Sequence, residues 1–132
     1  FTLRVLLAED NPVNQRVATL MLSGLGCAVT TVDNGALALD ALATSRDYDV
    51  VFMDMQMPEM DGLEATRQIL ARWGQDRPPI VALTANALAG DRQTCLDAGM
   101  DDYMAKPFQR ATLVSLLERV ARGRAAMLRT PA

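Results

Sequence analysis

The sequence predicts an α/β fold: five β-α units forming a parallel sheet covered by helices on both faces. Three observations predict it. Five short apolar runs recur along the chain, five longer stretches of helical periodicity separate them, and four of the five runs end in a polar or charged residue. Short, continuous, β-branched-rich runs suit strands buried on both faces. Regular strand-helix alternation calls for crossovers that place helices above and below the sheet.

The first strand is Val5-Leu6-Leu7-Ala8, ending in Glu9-Asp10. The helix after it has apolar positions Val13, Val17, Leu20 and Met21, at i, i+4, i+7 and i+8. Asn11 is its expected cap and Pro12 fits the first helical position. Gly24 or Gly26 is expected to end it. Cys27-Ala28-Val29 leads through two threonines to Val32 as the second strand. The second helix spans Asn34 to Ser45, with Leu37, Ala38, Ala41 and Leu42 as its apolar positions.

Val50-Val51-Phe52-Met53 forms the third strand and ends at Asp54. The third helix runs from Asp61 to about Arg72, with Leu63, Ile69 and Leu70. Ile80-Val81-Ala82-Leu83 ends at Thr84, and a helix of roughly Ala87 to Ala98 follows, before Gly99. Tyr103-Met104-Ala105 ends at Lys106. The last helix starts at Gln109 or Arg110 and ends at Arg122, with a stripe of Leu113, Leu116, Leu117 and Val120. Gly123 to Ala132 lacks this periodicity and reads as a tail or interdomain linker, leaving residues 1–122 as one domain. The start at Phe1 rather than Met leads us to expect a piece of a longer protein.

Composition narrows the function. A chain of 132 residues with 50% hydrophobic and 22% charged residues suits one globular domain. Aromatic residues are only 5%, so the core must rest on Leu, Val, Ala and Met. A net charge of −3 argues against direct nucleic-acid binding. There is no histidine, and Cys27 and Cys95 form no CxxC pair, so neither a zinc site nor a Ser-His or Cys-His pair can be built. The two cysteines read as buried structural thiols in a reducing, cytoplasmic setting. No apolar run approaches the roughly 18 residues of a membrane span.

Functional groups in open α/β sheets gather at the carboxyl ends of the strands. Here those ends carry Glu9-Asp10, Asp54, Thr84 and Lys106. Crowded carboxylates repel one another unless a cation is present. A hard divalent ion resolves this, and magnesium uses one or two carboxylates, several waters and phosphate oxygens. Lys106 adds a positive charge for a phosphoryl oxygen, and Thr84 adds a hydroxyl. An aspartate can act as nucleophile and become an aspartyl-phosphate. Phosphoryl transfer needs mainly positioning and charge neutralisation, so this set suffices without histidine. Taken singly, each residue has a plainer role as a helix cap or a solvated charge.

These residues sit in segments that resemble the response-regulator receiver domain of two-component signalling. The segments are Leu6-Leu7-Ala8-Glu9-Asp10-Asn11, Asp54-Met55-Gln56-Met57-Pro58-Glu59-Met60-Asp61-Gly62, Leu83-Thr84-Ala85, Ala98-Gly99-Met100-Asp101-Asp102-Tyr103 and Lys106-Pro107-Phe108. The resemblance covers about Leu3 to Arg122. It implies the flavodoxin-like doubly wound sheet of strand order 2-1-3-4-5. It also implies that Glu9 and Asp10 hold Mg²⁺ (or Mn²⁺), with Asp10 the more direct ligand, that Asp54 is the phosphoacceptor, and that the Gln56 backbone carbonyl reaches the metal. Thr84 and Lys106 then contact the phosphoryl group, Ala85 leaves room for it, and Thr84 with Tyr103 forms a conformational switch. The Lys106-Pro107 bond is often cis in such domains.

Glu9-Asp10-Asn11-Pro12-Val13-Asn14-Gln15 and Ala82-Leu83-Thr84-Ala85-Asn86-Ala87 look most like receivers attached to hybrid sensor histidine kinases. The resemblance then implies a histidine kinase or a histidine phosphotransfer domain as partner. The parent chain would be a sensor kinase at the inner membrane; a stand-alone or transcription-factor response regulator is the alternative. A dehalogenase-like phosphatase would need an aspartate where Gln56 stands. A dinucleotide-binding domain would need a glycine-rich turn after the first strand. A non-phosphorylated structural receiver would have lost an acid or the lysine. The methionines around Asp54 read as packing residues, with a docking surface as the alternative.

Overall fold

The computed structural model describes residues 1–85, 89–106 and 108–123. The strands are β1 (Arg4–Ala8), β2 (Ala28–Val32), β3 (Val50–Asp54), β4 (Ile80–Thr84) and β5 (Asp102–Ala105). They form one parallel sheet in the order β2-β1-β3-β4-β5. The helices are α1 (Pro12–Gly24), α2 (Gly35–Thr44), α3 (Gly62–Trp73), α4 (Ala89–Asp97) and α5 (Arg110–Arg122). Every residue of β3 and β4 is buried, whereas β2 and β5 are only partly covered. The continuous apolar runs therefore mark the strands enclosed on both faces.

Alternation along the strands divides the core in two. Val5, Leu7, Phe52 and Leu83 face α1 and α5, where Leu22, Leu113 and Leu117 meet them. Leu6, Ala8, Val51 and Met53 face the other way, towards Leu39 and Leu42 of α2, Ile69 of α3 and Cys95 of α4. All four apolar positions expected in α5 are buried. Both cysteines are buried and neither is in a disulfide; Cys95 Sγ donates to Met55 Sδ at 3.6 Å. Met55, Met57 and Met60 are half-buried and pack against the second core, in line with a packing role.

Local chemistry fixes the helix starts. Asn11 Oδ1 accepts from the Val13 N–H at 2.9 Å and the Asn14 N–H at 3.1 Å, with Pro12 at the first helical position. Asn34 caps α2 through the Leu37 N–H, and Asp61 caps α3 through the Glu64 N–H, each at 2.9 Å. Helix α1 ends at Gly24, and Gly26, at φ 97°, makes the turn into β2. The expected start of α4 near Ala87, the Lys106-Pro107 bond and most of the tail from Gly123 to Ala132 lie outside the described residues, as does Asn86.

One expectation fails. Of the four periodic positions that mark α1 in the sequence, Met21 alone packs against the core, half-buried. Val13, Val17 and Leu20 are 69%, 46% and 63% exposed, while Ala18 and Leu22 enter the core. Leu37 of α2 is likewise exposed, with Ala38, Leu39 and Leu42 turned inward.

Candidate functional site

Strand order reverses between β1 and β3, and a crevice opens there beyond the carboxyl ends of the strands. It is a cleft of about 930 Å³ lined by Glu9, Asp10, Asp54, Gln56, Thr84, Ala85 and Lys106, among others. Asp54 is the last residue of β3 and is 4% exposed. Thr84 ends β4, also at 4% exposure. Lys106 follows β5, its N–H donating to the Thr84 carbonyl at 2.8 Å. The adjacent Glu9 and Asp10 leave β1, Glu9 buried and Asp10 exposed. The structure thus brings the residues singled out in the sequence to one place. Tyr103 stands apart: half-buried in β5, it packs against the second core and does not line the cleft.

The charges are tightly coupled. Lys106 Nζ donates to Asp54 Oδ2 and pairs with Glu9 Oε1, both at 2.8 Å. Asp54 Oδ1 accepts from the Gln56 N–H at 3.2 Å, and Glu9 Oε2 from the Asn11 N–H at 3.1 Å. Burial pushes the Asp54 carboxyl above its ordinary range; neighbouring Glu9 adds to this, and Lys106 with the Gln56 N–H only partly offsets it. Burial also pushes Glu9 up, but Lys106, the Asn11 N–H and Asp54 outweigh it and hold that carboxyl low. Burial lowers the Lys106 ammonium, and its two carboxylate partners more than reverse this. The cluster therefore crowds carboxylate charge that Lys106 only partly balances, which suits a bound cation.

Carboxylate oxygens of Glu9, Asp10 and Asp54 lie within 4.8 Å of one another. Three hard oxygen donors beside an open, water-accessible cleft fit a magnesium ion, which keeps waters and accepts phosphate oxygens in its remaining positions. Gly62, the first residue of α3, keeps this wall close. A Cβ there would fall 2.2 Å from the Asp54 carbonyl oxygen. The sequence marked Gly62 only as the end of the Asp54 loop motif. It gave no sign of the direct Glu9–Lys106 pair.

Sheet order and site together define a doubly wound domain with an acidic pocket at its switch point. Residues 5–118 match the family described as the response regulator receiver domain, and the chain belongs to that family. It is 42% identical over 118 residues to the sensor histidine kinase GacS of Pseudomonas protegens, covering 86% of this chain but only 13% of that kinase. Among solved structures, the receiver domain of a sensor histidine kinase from Pseudomonas aeruginosa PAO1 is 50% identical, with a TM-score of 0.82 over 92% of this chain and 99% of that one. That structure holds a magnesium ion coordinated in its active-site cleft. The receiver domain of the Saccharomyces cerevisiae response regulator Ssk1, co-crystallised with the histidine phosphotransfer protein Ypd1, is 28% identical. Its TM-score is 0.86, over 94% of this chain and 92% of that one.

Proposed function

We propose that the domain works in a phosphorelay: Asp54 takes a phosphoryl group from a phosphohistidine and either passes it on or uses it to switch conformation. The observation that carries this reading is the Asp54–Lys106–Glu9 triad at the mouth of the acidic cleft. An Asp54 carboxylate oxygen attacks phosphorus, the P–N bond to the imidazole breaks, and the imidazole leaves with the electron pair and takes up a proton. Glu9, Asp10, Asp54 and the Gln56 carbonyl would hold Mg²⁺, for which Mn²⁺ fits the same oxygen set. The ion, when bound, neutralises charge on the transferring phosphoryl oxygens. Lys106 follows the transferred group, exchanging carboxylate partners for a phosphoryl oxygen. The Thr84 hydroxyl donates to another.

The switch follows from the same contacts. A phosphoryl group on Asp54 draws Thr84 towards it, and half-buried Tyr103 moves into the space released. This biases two packings of the β5 edge. Residues 1–122 act as the receiver and residues 123–132 as its tail or interdomain linker, in a parent chain we read as a hybrid sensor histidine kinase; the match to part of the sensor histidine kinase GacS supports this. The two buried thiols, neither in a disulfide, fit a cytoplasmic position, and no helix among the described residues is long and apolar enough to cross a membrane.

The partner reading rests on α1. Val13, Val17 and Leu20 form an exposed apolar ridge along the helix whose cap adjoins Glu9 and Asp10. A cavity of about 100 Å³ beside it is lined by Val17, Ala18, Leu7 and Phe108, with Glu9 and Lys106 at its polar end. The occupant is the apolar face of a histidine-bearing helix, of the kind carried by a phosphotransfer or kinase domain. The Ssk1 receiver paired with a phosphotransfer protein supports this choice. The test is intact-mass measurement after incubation with acetyl phosphate. Wild type should gain one phosphoryl group only with Mg²⁺ present; a phosphoryl group on the Asp54→Asn variant would sink the assignment.

A further inference from the structure

We propose that Gln15 is a positioning residue for the metal site, aiming the Glu9-Asp10 carboxylates by fixing the peptide between them. This rests on the reading of Glu9, Asp10 and Asp54 as the Mg²⁺ ligands. Gln15 is half-buried on α1. Its side-chain Nε2 donates both to the Glu9 carbonyl oxygen and to Asp33 Oδ1, the latter at 2.8 Å. The two partners are a carbonyl and a carboxylate, and neither carries a proton to give. Only a group with two N–H bonds can satisfy both, so the amide nitrogen must face them.

The clamp acts on the right bond. The Glu9 carbonyl and the Asp10 N–H belong to one planar peptide unit. Holding that carbonyl sets the plane from which both acidic side chains depart. The other side of Glu9 is held by its own N–H, which donates to the Val32 carbonyl at 3.1 Å. Asp10 is exposed, so its aim depends on the peptide it departs from. Through Asp33 the same amide ties the β1–α1 loop to the loop after β2. Gln15 thus joins three segments at the rim of the cleft without reaching into it.

Calorimetric titration with MgCl₂ tests this on wild type, Gln15→Met and Gln15→Glu, with thermal unfolding of each in EDTA. Methionine keeps the length and shape of the side chain but donates nothing. Glutamate keeps every carbon and sets a third acceptor against two others. Groups that orient a metal ligand commonly change affinity by about ten- to a hundredfold, so both variants should bind Mg²⁺ about tenfold more weakly. Charge alone would make Gln15→Glu bind more tightly, so weaker binding there reports the lost donor. If both bind within about twofold of wild type, the proposal is wrong, whatever their melting behaviour. If Gln15→Met does not fold, Gln15→Glu decides alone. Absence of Mg²⁺ binding by wild type itself would instead overturn the metal site and this inference with it.

Discussion

Lys106 Nζ lies 2.8 Å from Asp54 Oδ2 and 2.8 Å from Glu9 Oε1, so one ammonium bridges carboxylates from two neighbouring strands. Removing it leaves two buried acids facing each other. A fully enclosed pair costs roughly 3–5 kcal/mol to break. The Lys106 side chain is 22% exposed, which lowers the expected loss for Lys106→Ala in EDTA to about 2 kcal/mol. Added Mg²⁺ replaces the missing charge, so it should stabilise the variant more than wild type. Urea unfolding of both proteins, with EDTA and with Mg²⁺, checks this. Equal stabilisation by Mg²⁺ would show that the bridge and the metal do not share the acids.

The two bridged acids should respond to pH with opposite signs. Asp54 is raised by burial above 3.8, with Glu9 adding to the shift. A raised carboxyl contributes stability that is full below the ordinary value and lost as pH rises through the folded one. Asp54→Asn should therefore be more stable than wild type at neutral pH in EDTA, and the gap should close as pH falls towards 3.8. Glu9 is pushed up by burial but held below 4.5 by Lys106 and the Asn11 N–H. Its contribution is present above that value and lost as pH falls through the folded one. Glu9→Gln should destabilise at neutral pH and match wild type in acid. Urea midpoints measured from about pH 2 to about pH 8 separate the two signs.

The contrast between α5 and α1 shows what periodicity can and cannot reveal. In α5, Leu113, Leu116, Leu117 and Val120 lie on one face, and that face is buried. In α1, Val13, Val17 and Leu20 also share a face, yet that face looks outward, and the core takes Ala18 and Leu22 instead. Periodicity finds the helix; it does not say whether the apolar face meets the chain's own core or a partner. The acids and the lysine were legible because strand ends in an alternating pattern converge on one edge. The Arg77–Asp101 pair was not, since its members are 24 residues apart and neither lies in a periodic run. Gln15 carried no signal beyond its motif, because its role depends on a carbonyl and on Asp33, 18 residues away.

Gly62 should tolerate no side chain. An added Cβ would meet the Asp54 carbonyl oxygen at 2.2 Å and Met53 Cγ at 3.0 Å. Backbone on one side and core on the other leave no direction for relief. Gly62→Ala should lose about 1–3 kcal/mol by overpacking. It should also slow phosphorylation by acetyl phosphate below its melting range, because the strain falls on the nucleophile's own peptide. Urea unfolding and intact-mass time courses measure the two effects; a fully active variant would place the adjustment in α3 instead.

Arg77 and Asp101 should stabilise the fold without touching the chemistry. Their ion pair closes at 2.6 Å with each side chain 3% exposed, and Asp101 Oδ2 also accepts the Ile80 N–H at 2.8 Å. The pair sits where β4 and β5 begin, at the end of the sheet opposite Asp54. Arg77→Met strands the Asp101 charge in the interior and should lose about 3–5 kcal/mol. Asp101→Asn added to that variant should recover part of the loss, because it removes the charge while keeping an acceptor for Ile80. Phosphoryl incorporation at a temperature where the variant is folded should match wild type.

The α1 ridge gives the sharpest division between chemistry and recognition. Leu20 is 63% exposed and Val13 69%, so charged replacements have room and neither should lower stability by more than about 0.5 kcal/mol. Acetyl phosphate reaches Asp54 by diffusion and needs no docking surface. A phosphohistidine on a protein must be carried to the cleft by contacts around it, and the ridge is the apolar surface beside that cleft. Val13→Glu and Leu20→Glu should keep the wild-type rate with acetyl phosphate. With a phosphorylated histidine phosphotransfer domain as donor, each should transfer about tenfold more slowly, the effect of losing roughly 1.4 kcal/mol of binding. Equal slowing with both donors would move the defect into the site, and no slowing with either would remove α1 from the docking surface.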